Sequence, residues 1–183
     1  MQPLTTTAKI ALTAGGLILL LAFWYWSKRN DYFIAKYNDL SSEELAEFKK
    51  DPDPTLIYRS NIGKEKYQFP RQHVNQVKLF QNTPLLGSLN SRTLKEEFNQ
   101  EVTTFFNDST NFSWSETTWS IQDADYILKF YNNGKLVGKV WLCLTGCGMI
   151  STHPFTPNTK FGGLTIEGKR ILESILNDHT KWE

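Results

Sequence analysis

The chain's two cysteines, Cys143 and Cys147, lie in the segment VWLCLTGCGMIS at residues 140–151 and carry its most distinctive chemistry. Three residues separate them, and a tight turn between them would bring the two Cα atoms within disulfide range. A bridge that closes so short a loop adds about 2 kcal/mol to the free energy of unfolding in the chain-entropy relation. The spacing therefore favours a disulfide, and two buried free thiols stay open as the alternative.

Zinc binding and dithiol redox chemistry suit the same two cysteines less well. A zinc site would need His153 and a fourth ligand that no neighbouring position supplies, and the spacing matches no standard zinc finger or ribbon. A redox-active pair usually has two intervening residues and lies at a helix N-terminus, whereas these cysteines follow a predicted strand. We therefore predict no metal and no cofactor.

The other motifs that could carry chemistry are incomplete. GLTIEGKR at 163–170 imitates a phosphate-binding loop, but Arg170 stands where a Ser or Thr must bind Mg²⁺. None of the three histidines lies beside a recognisable nucleophile, and no GxSxG or HExxH motif occurs. The sequence thus weighs against an enzyme, although an enzyme with a dispersed or thiol-dependent site stays open as the alternative.

Charge is spread unevenly along the chain. There are 20 Lys and Arg against 19 Asp and Glu, and residues 1–30 hold three of the basic side chains and no acidic one. The remainder therefore carries 17 basic and 19 acidic side chains. A near-neutral body of this kind lacks the electrostatic signature of nucleic-acid binding. We predict no nucleic-acid partner.

The segment IALTAGGLILLLAFWYWS at 10–27 contains no charged residue. As a helix it would be about 27 Å long, close to a hydrocarbon core of about 30 Å. Lys9 and Lys28 flank it, and the aromatic run at 23–26 suits a membrane interface. Bulky aromatics at this end argue against a cleaved signal peptide. We predict a single-pass transmembrane anchor, preceded by a short tail at 1–9.

Two arguments about the orientation of this anchor oppose each other. Lysine and arginine near its ends number one before the span and three after it (Lys28, Arg29 and Lys36), which favours a cytoplasmic body. Short N-terminal anchors commonly export the domain that follows them, and if the domain is exported a disulfide is the favoured state of the two cysteines. We expect the exported, periplasmic or other extracytoplasmic side, against the charge rule.

A stalk at 28–40 follows the anchor and leads into a globular domain at 41–183. Ser41 and Glu44 form a capping box, which predicts a first helix in this domain. The apolar stripe near the end of the chain predicts a last helix at about 165–178, with its first residue as the cap.

Another helix is predicted in the middle of the domain, at about 92–107. Thr93 and Glu96 make a capping box at its start. Its apolar side chains fall on one stripe at three- and four-residue spacing: Leu94, Phe98, Val102, Phe105 and Phe106.

A hairpin at about 126–144 is the best-marked β-structure. Asn133–Gly134 suits a two-residue type I′ turn, and both arms are rich in β-branched and aromatic residues. Because the arms are mostly apolar on both faces, we place the hairpin centrally in the sheet, with Trp141 in the core. The whole predicts an α+β fold, in which one compact domain packs an antiparallel sheet with two or three helices.

Aromatic side chains supply the predicted binding surface. Trp114, Trp119 and Trp182 are its candidates, with burial in the core as the alternative for each. Ala11 and Gly15 form a small-xxx-small pair that would suit a homo-oligomer of the anchor. We predict a membrane-anchored domain that binds a protein, as an inhibitor or immunity-type protein or as an accessory subunit of an envelope complex. A structural, oligomerising membrane protein is a further alternative.

Overall fold

The chain divides into two compact units, residues 1–37 and residues 38–183. The computed structural model describes residues 5–34, 43, 46, 50, 59–82, 91–113, 123–159, 163–178 and 180–182. The capping box predicted at Ser41 and Glu44 lies outside these residues.

Helix α1 (Thr6–Ile34) is the element of the first unit. Eight large apolar side chains of this helix are 53–72% exposed: Leu12, Leu17, Ile18, Leu19, Leu20, Leu21, Phe23 and Trp24. In the part of the chain that the structure describes, no helix is both long enough and apolar enough to cross a membrane. The transmembrane helix predicted at 10–27 therefore gains no support from the structure.

The described part of the second unit contains eight strands in two antiparallel sheets. Their bounds are β1 (Gln76–Gln81), β2 (Ser91–Leu94), β3 (Phe112–Ser113), β4 (Tyr126–Asn132), β5 (Lys135–Leu142), β6 (Ile150–His153), β7 (Gly163–Leu164) and β8 (Thr180–Trp182). Six strands form the main sheet in the order β6-β5-β4-β1-β2-β8, and β3 pairs with β7. Together with the helices described next, this arrangement confirms the predicted α+β fold with an antiparallel sheet.

Strands β4 and β5 form the predicted central hairpin. Asn133 and Gly134 make its two-residue turn with φ angles of 48° and 76°. A type I′ turn needs positive φ at both positions, and Asn-Gly tolerates this best. Strand β4 also pairs with β1 from Tyr126 to Tyr131, so the hairpin lies inside the sheet and not at its edge.

A β-bulge changes the register of this hairpin. Tyr131 lies opposite Leu136, whereas the preceding residue Phe130 lies opposite Gly138. Val137 is therefore the extra residue of β5. Because opposed residues share a face and successive residues alternate, the bulge moves every later side chain of β5 to the other face.

Helices α2 (Asn99–Asn107) and α3 (Ile166–Asp178) share one hydrophobic core with one face of the sheet, here called the core face. Three phenylalanines at its centre, Phe69, Phe106 and Phe130, have no exposed surface. Their ring centroids are 5.0–5.8 Å apart and the rings meet edge to face. This geometry suits the aromatic quadrupole and adds to the gain from apolar burial.

The start of α3 agrees with the predicted last helix. The Gly168 amide donates a hydrogen bond to Thr165 Oγ1 at 2.9 Å, so Thr165 caps the helix as expected. The Thr165 amide donates in turn to the Asn111 carbonyl oxygen at 2.9 Å, which ties the helix start to the rest of the domain.

The predicted helix at 92–107 is wrong in its first half. Residues Ser91–Leu94 form β2, and α2 begins only at Asn99, after a 3-10 turn. Strand β2 pairs with β1 on one side and with β8 on the other, so its backbone hydrogen bonds are satisfied by the sheet. Leu94 reaches the core from the sheet and not from the helix.

Candidate functional site

Three lysines lie side by side on the face of the sheet opposite the core face. Lys78 of β1 is opposite Lys129 of β4, and Lys129 is opposite Lys139 of β5. His153 of β6 comes next, opposite Lys139. Directly opposed residues share a face, with Cβ atoms about 4.5–5.5 Å apart. We call Lys78, Lys129 and Lys139 the lysine row, and the face that carries it the outer face.

The alignment of the lysine row is costly for the sheet and suited to an anion. Like charges directly opposite one another destabilise a strand pair. Neighbouring strands are about 4.8 Å apart, so the three lysines extend over about 10 Å, and His153 lengthens the line to about 14 Å. A strip of one sign of charge on a low-dielectric wall concentrates counter-ions.

The β-bulge places Lys139 in this row. The two-residue turn by itself would set Lys139 opposite Leu128, whose side chain is buried in the core. Since the extra residue shifts the register by one, Lys139 lies opposite Lys129 instead. The bulge thus converts a position of the core face into a position of the outer face.

Apolar side chains form a second line on the outer face, next to the lysine row. Phe80 is opposite Ile127, and Ile127 is opposite Trp141. Lys129 Nζ lies 4.4 Å from the Phe80 ring centroid, and Lys139 Nζ lies 4.4 Å from that of Trp141. Both distances allow cation–π attraction, which holds the ammonium groups over the rings.

Trp141 corrects the sequence prediction that placed it in the core. It is half-buried and lies on the outer face, opposite Ile127. The β-bulge is the reason, because the unshifted hairpin register would set it opposite Tyr126 and thereby on the core face.

Lys129 has a partly shielded ammonium group. Its side chain is half-buried, and burial lowers the pKa of this ammonium. Desolvation penalises the charged form of a lysine because water no longer solvates it. An anionic group that approaches this position meets a charge that salt screens less than a fully exposed one.

The turn between β5 and β6 brings the two cysteines together. The Cα atoms of Cys143 and Cys147 are 5.7 Å apart, and the pair is at disulfide distance. The Cys143 amide donates a hydrogen bond to the Met149 carbonyl oxygen at 2.9 Å. Cys143 is buried, whereas Cys147 is exposed. This turn connects the two strands that carry Lys139 and His153.

Asp125 holds the same turn from the start of β4. The Thr145 amide donates to Asp125 Oδ2 at 2.7 Å, and the Asp125 amide donates to the Leu142 carbonyl oxygen at 2.7 Å. Desolvation raises the pKa of the Asp125 carboxyl, but hydrogen bonds from Thr145 and Leu144 and the charge of Lys169 together hold it below its ordinary value.

The predicted tryptophan surface is not assembled by the described residues. Trp114 and Trp119 lie outside them, and Trp182 lies in β8, opposite Arg92. Within the described ranges no three His, Cys, Asp or Glu side chains are grouped so that they could hold a metal ion. The tryptophan surface stays a prediction.

Sequence reasoning missed the lysine row, although one signal for it is present. Lys129 and Lys139 each stand between apolar residues in the two arms of the hairpin, in ILKFY and GKVW. That alternation indicates a polar side to otherwise apolar strands. The signal does not say that the two lysines are opposed, because the turn alone implies a different register.

Comparisons of the chain with protein-family models, with curated proteins and with solved structures find no match. What the outer face can do is therefore argued from its own geometry and charge.

Proposed function

We propose that this chain is a single-pass, membrane-anchored domain that works by binding a protein, as an inhibitor or immunity-type protein or as an accessory subunit of an envelope complex. The observation that carries the proposal is the outer face, where the lysine row lies beside the half-buried ring of Trp141. Aromatic side chains are enriched at protein interfaces, and charged groups beside them supply specificity.

The anchor in this proposal rests on the sequence alone. Residues 10–27 carry no charge, and Lys9 and Lys28 flank them. A bilayer covers such a helix on all sides, because it is apolar around its whole circumference.

We propose that the domain lies on the exported side of the membrane, where a cystine persists. Labelling of intact cells with an impermeant maleimide tests this placement through Cys143 and Cys147. Labelling from outside that requires prior reductant is the expected result. Labelling that requires lysis and no reductant would place the domain in the cytoplasm with free thiols, as the charge rule favours.

Protein binding is tested by purification of the tagged full-length chain in gentle detergent, with co-purifying proteins identified by mass spectrometry. Two variants that exchange one apolar side chain for glutamine are compared. Trp141→Gln changes the outer face, whereas Ile166→Gln changes a residue of α3 that is 94% exposed. Circular dichroism checks that both variants keep the fold.

A partner that remains with Ile166→Gln and is lost with Trp141→Gln supports the proposal. Truncation of an aromatic residue near the centre of an interface typically costs 2 kcal/mol or more of binding free energy, or about thirtyfold in Kd. Recovery of the chain alone at every detergent concentration, or equal recovery of the partner with both variants, contradicts it.

A further inference from the structure

We infer that the bond between Cys143 and Cys147 is a thiol–disulfide exchange site, which a protein dithiol opens by attack on Cys147 while the domain stays folded. The two cysteines differ in exposure. Cys143 has 6% of its surface exposed, whereas Cys147 lies in an exposed segment with Thr145 and Gly146. Exposed disulfides are the labile ones, because an incoming thiolate must reach one of the two sulfur atoms. The inference concerns this turn and does not rest on the outer face.

Backbone hydrogen bonds hold the turn in place independently of the bridge. The Cys143 amide donates to the Met149 carbonyl oxygen at 2.9 Å, and the Thr145 amide donates to Asp125 Oδ2 at 2.7 Å. A bridge that closes so short a loop restricts the unfolded chain only a little, so the fold depends little on it. When the bond opens, these contacts therefore keep Cys143 close to Cys147.

The turn also stabilises the sulfur that leaves. The Cys147 amide donates a hydrogen bond to Cys143 Sγ at 3.2 Å. Attack at Cys147 puts the negative charge on Cys143 Sγ, and a hydrogen bond to an ionised acceptor is stronger than one to a neutral acceptor. Amides at a helix N-terminus stabilise the thiolate of many redox-active cysteines. Here the turn supplies such a donor without a helix.

The exchange balances in atoms and electrons. A thiolate of the dithiol attacks Cys147 Sγ and forms a mixed disulfide, while the electron pair of the broken bond goes to Cys143 Sγ. The second thiolate of the dithiol then attacks its partner sulfur in the mixed disulfide, and Cys147 leaves as a thiolate. The two cysteines gain two electrons and, through water, the two protons that the dithiol has lost. The dithiol becomes a disulfide.

The first test uses the unaltered full-length chain in detergent, with dithiothreitol as the dithiol probe and glutathione as the monothiol probe. Opening of the bond by dithiothreitol is timed by alkylation and mass spectrometry, in buffer and in concentrated urea. Circular dichroism checks that the chain is folded in buffer, before and after reduction, and unfolded in urea. The glutathione sample is quenched with acid and digested, and tandem mass spectrometry locates the glutathione on one cysteine or the other.

We expect the bond to open in buffer within about a hundredfold of its rate in urea, since a bond that opens only on global unfolding is slowed by about a thousandfold or more. Glutathione should be found on Cys147 at least about tenfold more often than on Cys143. A larger retardation in buffer, loss of the fold on reduction, or glutathione on Cys143 as often as on Cys147 would each overturn the inference.

Two serine variants give a matched comparison of the cysteines. Cys143→Ser leaves the Cys147 thiol alone, and Cys147→Ser leaves the Cys143 thiol alone. With oxidised glutathione as the probe, we expect the Cys147 thiol to react at least about tenfold faster than the Cys143 thiol in buffer and equally fast in urea, where the fold shields neither. Equal rates in buffer contradict the inference. A difference that persists in urea also contradicts it, because the local sequence and not the fold would then be the cause.

Discussion

The core face and the outer face of the sheet are built from alternate residues of the same strands, yet different interactions stabilise them. In β4, Leu128 and Phe130 are buried among the phenylalanines and the helices. Between them, Lys129 points to the other side, where it lies over Phe80 and next to two further lysines. The core face gains free energy by burial, whereas the outer face keeps an alignment of like charges that costs stability.

This contrast teaches where function is to be sought in the domain. Apolar burial on the core face is what any sheet with helices on one side requires. A row of three lysines is not required in the same way, because lysine in the middle of a strand contributes less to stability than an apolar or β-branched residue. A feature that costs stability is where a demand from outside the fold is to be sought.

The largest expected effect comes from the centre of the core face. Phe130→Ala removes a fully buried ring and leaves a cavity between Phe69 and Phe106. We expect the free energy of unfolding to fall by about 3–5 kcal/mol, measured by denaturant unfolding followed by circular dichroism. Ile127→Ala, three residues earlier on the outer face, should cost about 1 kcal/mol. Equal losses for the two variants would contradict the difference between the faces.

The next effect concerns the β-bulge in β5. This bulge decides which side chains of β5 lie on the core face and which lie on the outer face. A Cβ atom on Gly138 would lie 2.8 Å from Phe69 Cζ and 3.2 Å from Pro70 Cβ. Gly138→Ala therefore overfills the core, and we expect it to lower the free energy of unfolding by about 1–3 kcal/mol. In the background of Phe69→Leu the cost of Gly138→Ala should shrink, because the smaller side chain leaves room. Strict additivity of the two changes would show that the ring is not the obstacle.

The hairpin was predictable from the sequence because its signal is local. Asn133–Gly134 fixes the turn through two residues that tolerate positive φ, and the apolar arms then mark the strands. The helix at 165–178 was predictable for the same reason, since Thr165 caps it three residues before Gly168. Both features depend on residues close together in the chain.

The first half of the predicted helix at 92–107 failed because long-range pairing outweighed a local pattern. Leu94 fits the helical stripe, but strands β1 and β8 on either side of β2 take its segment into the sheet. The lysine row escaped prediction for a related reason. Its alignment needs the bulge at Val137, next to Gly138, and Gly138 packs against Phe69, which is 69 residues away in the chain.

A smaller effect of the opposite sign is expected on the outer face. Lys129→Met removes an ammonium whose pKa is lowered by burial and which lies between two other lysines. We expect the free energy of unfolding at neutral pH to rise by about 0.5–1 kcal/mol, because the methionine retains the apolar contact with Phe80 without the charge.

The pH dependence of this gain gives a separate check. A lysine with a lowered pKa in the folded state costs stability while it is charged, and that cost declines as the pH rises toward the ordinary value of about 10.4. The advantage of Lys129→Met should therefore shrink as the pH rises from the lowered folded-state pKa of Lys129 toward its ordinary value. A variant that is less stable than the unaltered chain at every pH would show that the lysine stabilises the sheet.

The smallest effect concerns Asp125, which joins the start of β4 to the cysteine turn. Its pKa lies below the ordinary carboxyl value, so its charge adds stability above about pH 4, and this stability is lost as the pH falls through the folded-state pKa. Asp125→Asn should lower the free energy of unfolding at neutral pH by at most about 0.5 kcal/mol, since the carboxyl is only partly shielded from water. At an acidic pH below the folded-state pKa of Asp125 both proteins should be equally stable, because the aspartate is then neutral too. A difference that is the same at both pH values would mean that the Thr145 hydrogen bond depends on the shape of the side chain and not on its charge. The turn would then be stabilised by the shape and packing of its side chains, as the core face is. Effects of charge on stability would be confined to the lysine row.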